Sequence, residues 1–339
     1  MKSQLQYRVK QLKKYEQPFF GVIQLLHRCM ARCKMCNMWL GKKTPEEITI
    51  QQAMDFTSQL AEIAKPGFEW NILGGETLMK EDLERLITHV NKLGLRPIVS
   101  TNGYLVTKEK AHSLYNSGLI HYTMSLDSLR PEIHDYYRGT KGAFNMVRNA
   151  LNNIQSVYKG KQFVCIVAII MKHNFRELPE LVKWVRADPR VCSVSFLALT
   201  NPVWTKEKEW HKHKSSQELW PSNDEILDVI NTIKKIKRLK ERYPDYIVNP
   251  LAQLQAFCEY YTNGPNKPIT YNYKKFKGYV MVKSNGDYSM SAEGLGNIKV
   301  NDIRKQWFSE KAEKCRKKIE EKNTSTEIII NCKHGFEEY

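Results

Sequence analysis

Six short hydrophobic runs, each followed by enough chain for a helix, constrain this sequence more than any other feature. The strand candidates are residues 19–27, 69–73, 96–100, 121–126, 162–171 and 192–198. Helix candidates lie between them near 50–64, 80–93, 107–117, 142–157 and 176–187, most with apolar residues at i, i+3 and i+4. Pro131 and Gly142 bracket a short extra turn or helix. Strands joined by crossovers of helical length pair in parallel, because antiparallel neighbours need only a tight turn. Repeated six times, the pattern predicts an α/β fold over residues 19–200: a partial (β/α)6 TIM-type barrel.

After about residue 200 the rhythm breaks. Residues 201–250 read as a polar loop and helical connector, with a Lys/His-rich stretch at 204–220 and a basic amphipathic helix at 224–242. Residues 251–339 make a smaller α+β domain, with a hairpin around Asn285-Gly286 and a helix at 300–322. Residues 1–18 form a basic helix on which Leu5, Val9, Leu12 and Tyr15 share one stripe. A docked surface helix or a peripheral membrane contact would both use that stripe. The longest apolar run, residues 19–26, is too short to span a bilayer, and no secretory signal precedes it.

Charge bears on partners rather than on fold. The chain holds 53 Lys and Arg against 36 Asp and Glu, a net +17. Residues 1–43 carry ten basic residues against one acid, Glu16, and residues 265–283 carry five lysines and no acid. If the fold joins these ends, their field attracts an anionic substrate, a nucleic acid or an acidic membrane surface. A solvated basic face without a partner accounts for it equally. Eight cysteines scattered over the whole length suit a reducing cytoplasm, where a clustered set serves metal or catalysis.

One such cluster is present. The run Cys29-Met30-Ala31-Arg32-Cys33-Lys34-Met35-Cys36 sets three thiols within eight residues, directly after the first strand. A compact loop can wrap this spacing around one metal centre, since thiolates are soft ligands for iron–sulfur clusters and for zinc. Structural zinc wants four ligands, and His27 is the local candidate for a fourth. Three thiolates on a four-iron cluster leave one iron open for reaction. Arg28, Arg32 and Lys34 interleave the ligands and would partly offset the charge of an anionic cluster. Spacing alone leaves both readings open.

Cys-x3-Cys-x2-Cys behind an opening strand resembles the radical S-adenosylmethionine (radical SAM) superfamily, and the resemblance continues in order. Leu73-Gly74-Gly75-Glu76-Thr77 is similar to the Gly-Gly-Glu motif, which implies that Gly74, Gly75 and Glu76 hold the cofactor's amino group. Glycine permits close backbone approach, and a carboxylate suits an ammonium. Ser100-Thr101-Asn102-Gly103 resembles the family's Thr-Asn-Gly turn and implies a cofactor contact at Asn102. Ser125-Leu126-Asp127-Ser128 ends the fourth strand, where members place polar groups near the ribose and the carboxylate. His134-x3-Arg138-Gly139 is similar to a segment whose arginine pairs with the methionyl carboxylate, and Asn174 matches an asparagine near the adenine. Each match falls at the carboxyl end of a strand, the rim where parallel barrels carry their sites. Two positions depart: Met35 stands where the family often has an aromatic residue, and Thr77 where it usually has proline.

The resemblance implies one [4Fe-4S] cluster on Cys29, Cys33 and Cys36, S-adenosyl-L-methionine as cofactor, and an electron donor such as flavodoxin or ferredoxin. It also implies an enzyme. The reduced cluster passes one electron to the sulfonium, and the resulting 5′-deoxyadenosyl radical abstracts hydrogen from a substrate. The basic excess favours an anionic small-molecule, lipid or peptide substrate. The alternative is a non-catalytic, metal-stabilised nucleic-acid-binding or scaffold protein. Nucleic acid needs aromatic and basic residues interleaved on one face, and only residues 204–220 approach that. Residues 277–287, 295–298 and 303–307 resemble the SPASM/twitch extension, whose members hold auxiliary clusters there. Three of the expected ligand places are filled by Phe276, Ser291 and Ile329, with Cys332 retained. That implies a single cluster and a degenerate twitch-like domain that caps the barrel and contacts substrate. Cys258 is either a free thiol that returns a hydrogen atom to a product radical, or an ordinary buried helical cysteine.

Overall fold

The computed structural model describes residues 16–42, 44, 46–201, 211, 216–265, 267, 269–270, 273–290, 293–321, 324–325 and 330–336. The basic N-terminal stripe, Ser291, Ile329 and most of residues 204–220 lie outside them.

Six parallel strands follow one another in sequence order: β1 (Phe20–Gln24), β2 (Glu69–Leu73), β3 (Arg96–Thr101), β4 (His121–Ser125), β5 (Phe163–Ile170) and β6 (Ser193–Ala198). The connecting helices are α1 (Ile50–Ala61), α2 (Leu83–Lys92), α3 (Lys108–Asn116), α4 (Pro131–Arg138), α5 (Ala143–Tyr158) and α6 (Leu178–Ala187). Local chemistry sets their starts. Thr49 and Gln52 form a capping box for α1, Thr107 caps α3, and Pro131 opens α4, where its missing N–H costs nothing.

Along each strand, fully buried residues alternate with less buried ones. The buried set, including Ile23, Trp70, Val99, Tyr122, Ile166 and Phe196, lies in the apolar core. The other set lines the lumen and is rich in polar side chains: the Ser100 hydroxyl donates to Asn71 Oδ1 (2.9 Å) and shares a hydrogen bond with Thr123 (2.6 Å).

β6 does not return to β1, so the barrel is open. Its free edge is nevertheless satisfied. The N–H of Val194 donates to Tyr246 O and its carbonyl accepts from Val248 N–H, both at 2.8 Å. At Phe196, Asn249 accepts the N–H (2.7 Å) and donates to the carbonyl (2.8 Å). Asn331 does the same at Ala198 (2.7 and 2.9 Å). Two helices, α7 (Ile226–Arg242) and α8 (Leu251–Asn263), pack against one another beyond β6.

The tail joins the other edge. After the two-residue strand β7 (Ile269–Thr270), β8 (Tyr279–Val282) pairs in parallel with β1, and β9 (Asp287–Met290) and β10 (Glu293–Asn297) follow antiparallel. The sheet therefore has nine strands in the order β10-β9-β8-β1-β2-β3-β4-β5-β6. The expected turn at Asn285-Gly286 is present, with Gly286 at φ +93°. Instead of lying over the mouth, the hairpin extends the sheet sideways, and its turn reaches the rim where Ile48 N–H donates to Ser284 O (2.7 Å). The expected helix at 300–322 is split into α9 (Ile303–Gln306) and α10 (Glu310–Glu321). Trp307 causes the break: its ring is fully buried and its Nε1 donates to Glu16 O. Thr324–Ser325 forms β11 against β7.

Candidate active site

The loop between β1 and α1 carries the three cysteines, and close backbone contacts hold it at the carboxyl end of the sheet. Gly75 N–H donates to Leu26 O (3.0 Å), Glu76 N–H to Arg28 O (3.1 Å) and Lys34 N–H to Tyr137 O (2.9 Å). A β-carbon on Gly75 would lie 2.2 Å from Arg28 O, and one on Gly139 2.1 Å from Arg32 O. The glycines of two sequence motifs thus make room for the cysteine loop itself.

Cys29, Cys33 and Cys36 line one cavity of about 270 Å³, together with Gly74, Gly75, Asn102, Ser125 and Arg138. Two of the sulfurs have a donor of their own. Asn102 Nδ2 lies 3.7 Å from Cys29 Sγ and Met38 N–H 3.4 Å from Cys36 Sγ, and Arg138 shares the cavity wall with Cys33. Burial pushes all three thiols up, Cys29 to about 12, so ligation must release their protons. Among the described residues no three His, Cys, Asp or Glu side chains are grouped as for a single metal ion. Thiols spread around one cavity, two of them facing N–H donors, suit a polynuclear sulfur cluster better, since its sulfurs accept such bonds.

Three expected cofactor residues stand one layer behind this wall. Glu76 is 1% exposed. Its Oε1 accepts from Leu78 N–H (3.0 Å) and Thr101 Oγ1 (2.7 Å), and its Oε2 from Asn102 N–H (2.8 Å). Burial raises its carboxyl while these donors pull it back. Its position differs from the expected direct contact with an amino group: the carboxylate fixes the Thr101-Asn102 turn. Asp127 is fully buried, with Oδ1 accepting from Ile169 N–H (3.1 Å) and Oδ2 from Arg138 Nε (2.7 Å). Asn174, also fully buried, donates to Asp127 O (2.7 Å) and Ile169 O (2.8 Å) and accepts from Met171 N–H (2.8 Å). It ties the ends of β4 and β5 together rather than facing the cavity.

Cys258 is not brought to the cavity. It is buried on α8, with Lys234 and Lys237 of α7 as its neighbouring cations. Phe276 is buried against Tyr279 (ring centroids 5.6 Å apart). One residue that the motifs did not single out lines the cavity, and a second follows the Asn102-Gly103 turn. Trp39 lines the cavity with Arg32 stacked 4.8 Å from its ring centre, and its Nε1 is buried without a partner among the described residues. The buried Tyr104 hydroxyl likewise has no hydrogen-bond partner there. Their nearness in sequence to Cys36 and to Asn102-Gly103 was the available signal.

Comparison with known proteins agrees with this geometry. The sequence model of the radical SAM superfamily matches residues 23–185. The Fe-coproporphyrin III synthase of Methanosarcina barkeri is 30% identical over 176 residues, 50% of this chain and 42% of that protein. The mycofactocin maturase MftC of Mycolicibacterium smegmatis is 31% identical over 157 residues, 46% of this chain and 39% of that protein. The match thus spans less than half the length of these curated relatives. Among solved structures, Streptococcus suis SuiB bound to S-adenosylmethionine superposes with a TM-score of 0.66 at 14% identity, covering 93% of this chain and 72% of that one. Native anSMEcpe with bound AdoMet and a peptide gives 0.60 at 16%, covering 87% and 81%. At such identities these two speak to the fold alone. Motif order, strand order and the match over residues 23–185 converge on one assignment: the chain belongs to the radical SAM superfamily, whose members use a [4Fe-4S] cluster and S-adenosylmethionine.

Proposed function

We propose that this chain is a radical SAM enzyme in which Cys29, Cys33 and Cys36 hold one [4Fe-4S] cluster and the adjoining wall holds S-adenosylmethionine. The observation that carries this reading is the convergence of three thiols on one cavity with Gly74, Gly75, Asn102, Ser125 and Arg138. When bound, cluster and cofactor supply the one-electron chemistry that yields a 5′-deoxyadenosyl radical. The chain's own groups orient and shield. Asn102 presents an N–H donor to Cys29, Arg138 sets a cation in the cavity wall, Ser125 and the Gly74-Gly75 backbone offer polar contacts, and Trp39 walls the cavity against water. Glu76, Asp127 and Asn174 hold those residues in place from behind.

The substrate we infer is an anionic peptide or small molecule. One relative is named a maturase, SuiB has been solved with its precursor peptide SuiA, and the net charge of +17 favours a negatively charged partner. A flavodoxin or ferredoxin would supply the electron, and a reducing cytoplasm suits eight cysteines of which none is in a disulfide. No helix among the described residues is long and apolar enough to cross a membrane. The nucleic-acid alternative loses one of its aromatics, since Trp220 is buried and stacks on Tyr261 (4.9 Å).

Anaerobic reconstitution tests the proposal. The protein should bind about four irons per chain and, with a strong reductant and S-adenosylmethionine, release 5′-deoxyadenosine. Cys29→Ala, Cys33→Ala and Cys36→Ala should each abolish both. Stoichiometric zinc without iron uptake would sink it.

A further inference from the structure

A loop that carries metal ligands is placed by the ties at its base, and the base of the cysteine loop has a largely buried ion pair outside the cavity. Arg28 directly precedes Cys29, and its Nη1 donates to Glu47 Oε2 at 2.9 Å. The Glu47 side chain is 6% exposed, and its other oxygen has no hydrogen-bond partner among the described residues. Neither residue lines the cavity that the cysteines share. The main chain of Arg28 is gripped as well. Its carbonyl accepts from Glu76 N–H (3.1 Å) and sits where a β-carbon on Gly75 would come within 2.2 Å.

Glu47 is itself fixed from two sides. Lys80, which follows the Gly74-Gly75-Glu76 turn, places its Nζ 3.9 Å from Glu47 Oε2 and donates to Ile48 O (2.7 Å) and Leu25 O (3.4 Å). The C-terminal hairpin holds the neighbouring backbone: Lys299 Nζ donates to Glu46 O (2.6 Å), and Ile48 N–H to Ser284 O (2.7 Å). The carboxylate therefore stands on the sheet rim and the hairpin together, and Arg28 links it to the cysteine loop.

We propose that Glu47 is a positioning residue for the bound cluster: acting through Arg28, it holds the start of the cysteine loop, and with it Cys29, against opening. This rests on the reading that the cluster sits on the three cysteines. Iron leaves when the loop lifts from the rim, and a charge-assisted bond that must break in that local opening slows it. Burial makes the bond costlier to lose, because the stranded partner keeps its charge away from water.

The test is the rate at which reconstituted, anaerobic protein yields iron to the chelator ferrozine, with iron counted before each run. Arg28→Gln should load fully and release iron about tenfold faster, the ordinary effect of losing one hydrogen bond to a charged group. Arg28→Lys should stay near the wild-type rate, because Arg28 gives Glu47 a single N–H and an ammonium can replace it. Glu47→Gln should also speed release, and the double variant with Arg28→Gln should be no faster than the faster single, since the two residues act as one pair. Arg304→Gln is the control. It removes a tie from α9 to Glu62 (2.8 Å) that does not involve the loop, and should release iron at the wild-type rate. A wild-type rate in Arg28→Gln, multiplied effects in the double variant, or an equal rise in Arg304→Gln overturns the proposal. A rise in Arg28→Lys as large as in Arg28→Gln overturns it too, since the pairing charge would then not be the cause. If Glu47→Gln does not fold, the two Arg28 variants decide the matter. Failure of the unsubstituted protein to bind iron would instead remove the site reading on which the proposal stands.

Discussion

At Gly75 a β-carbon would meet the carbonyl of Arg28, and at Gly139, where φ is +56°, that of Arg32. Both carbonyls belong to the cysteine loop, so these glycines belong to the binding site through packing. Gly75→Ala should force the loop away from β2, cost about 1–3 kcal/mol as an overpacked contact and lower iron retention. Full iron and an unchanged thermal midpoint in that variant would show that the loop is not held there. His134 makes a different demand. Its ring is fully buried, Nδ1 accepts from Asp127 N–H, and burial lowers it from 6.5 to about 4. Between those values the unfolded chain takes up a proton that the folded chain refuses. Its contribution is therefore fully present above pH 6.5 and lost as pH falls toward 4. About 2 kcal/mol should be gone by pH 5. Urea unfolding at pH 7 and pH 5 checks this: His134→Gln keeps an acceptor for Asp127 N–H and should lack that part of the loss. An equal loss in both proteins would assign it to other groups.

Elements divide by how local their causes are. The six barrel strands and their helices were legible because each carries its own pattern, β-branched and apolar runs for strands and i, i+3, i+4 spacing for helices. The cysteine loop and the rim residues Asn102, Ser125 and Arg138 were legible for a related reason: a parallel barrel brings every strand's carboxyl end to one rim. What escaped is what depends on distant partners. β1 was expected to run to His27 but ends at Gln24, where the cysteine loop departs. The parallel pairing of β8 with β1 joins residues more than 250 apart in sequence, and nothing in either strand announces its neighbour. The helix expected over 300–322 has sound local periodicity, yet Trp307 is drawn into the core, where Arg316 Nη2 donates to its carbonyl (2.6 Å). Glu76, Asp127 and Asn174 were identified as site residues, but a motif cannot say whether a carboxylate or amide faces the cavity or braces the residue that does. Trp39 and Tyr104 lie close in sequence to Cys36 and to Asn102-Gly103, but their buried polar atoms, without hydrogen-bond partners among the described residues, are a product of the fold.

Taken as one molecule, a barrel of six strands has to deal with the edge it leaves open. A bare edge strand offers N–H and C=O groups to any passing chain. Here two asparagine side chains take those positions on β6, Asn249 at Phe196 and Asn331 at Ala198. Asn331 is held in turn by its neighbour, since Gln253 Nε2 donates to Ile330 O (2.8 Å). Three residues further on, the His334 ring lies 4.4 Å from that of Phe20 in β1. The segment 331–334 therefore spans from the last barrel strand to the first, across the gap that the sheet does not close. Its role in the fold predicts the effect of removing it. Deletion of residues 330–339 should leave both polar groups of Ala198 unmatched, destabilise the protein by several kcal/mol and promote self-association. Asn331→Ala alone should cost about 1–3 kcal/mol, the usual penalty for a stranded buried group. Urea unfolding and sedimentation velocity over a range of concentrations would measure both effects. A truncated protein that stays monomeric and unfolds at the same midpoint would mean that β6 is protected by Asn249 and its neighbours without help from the tail.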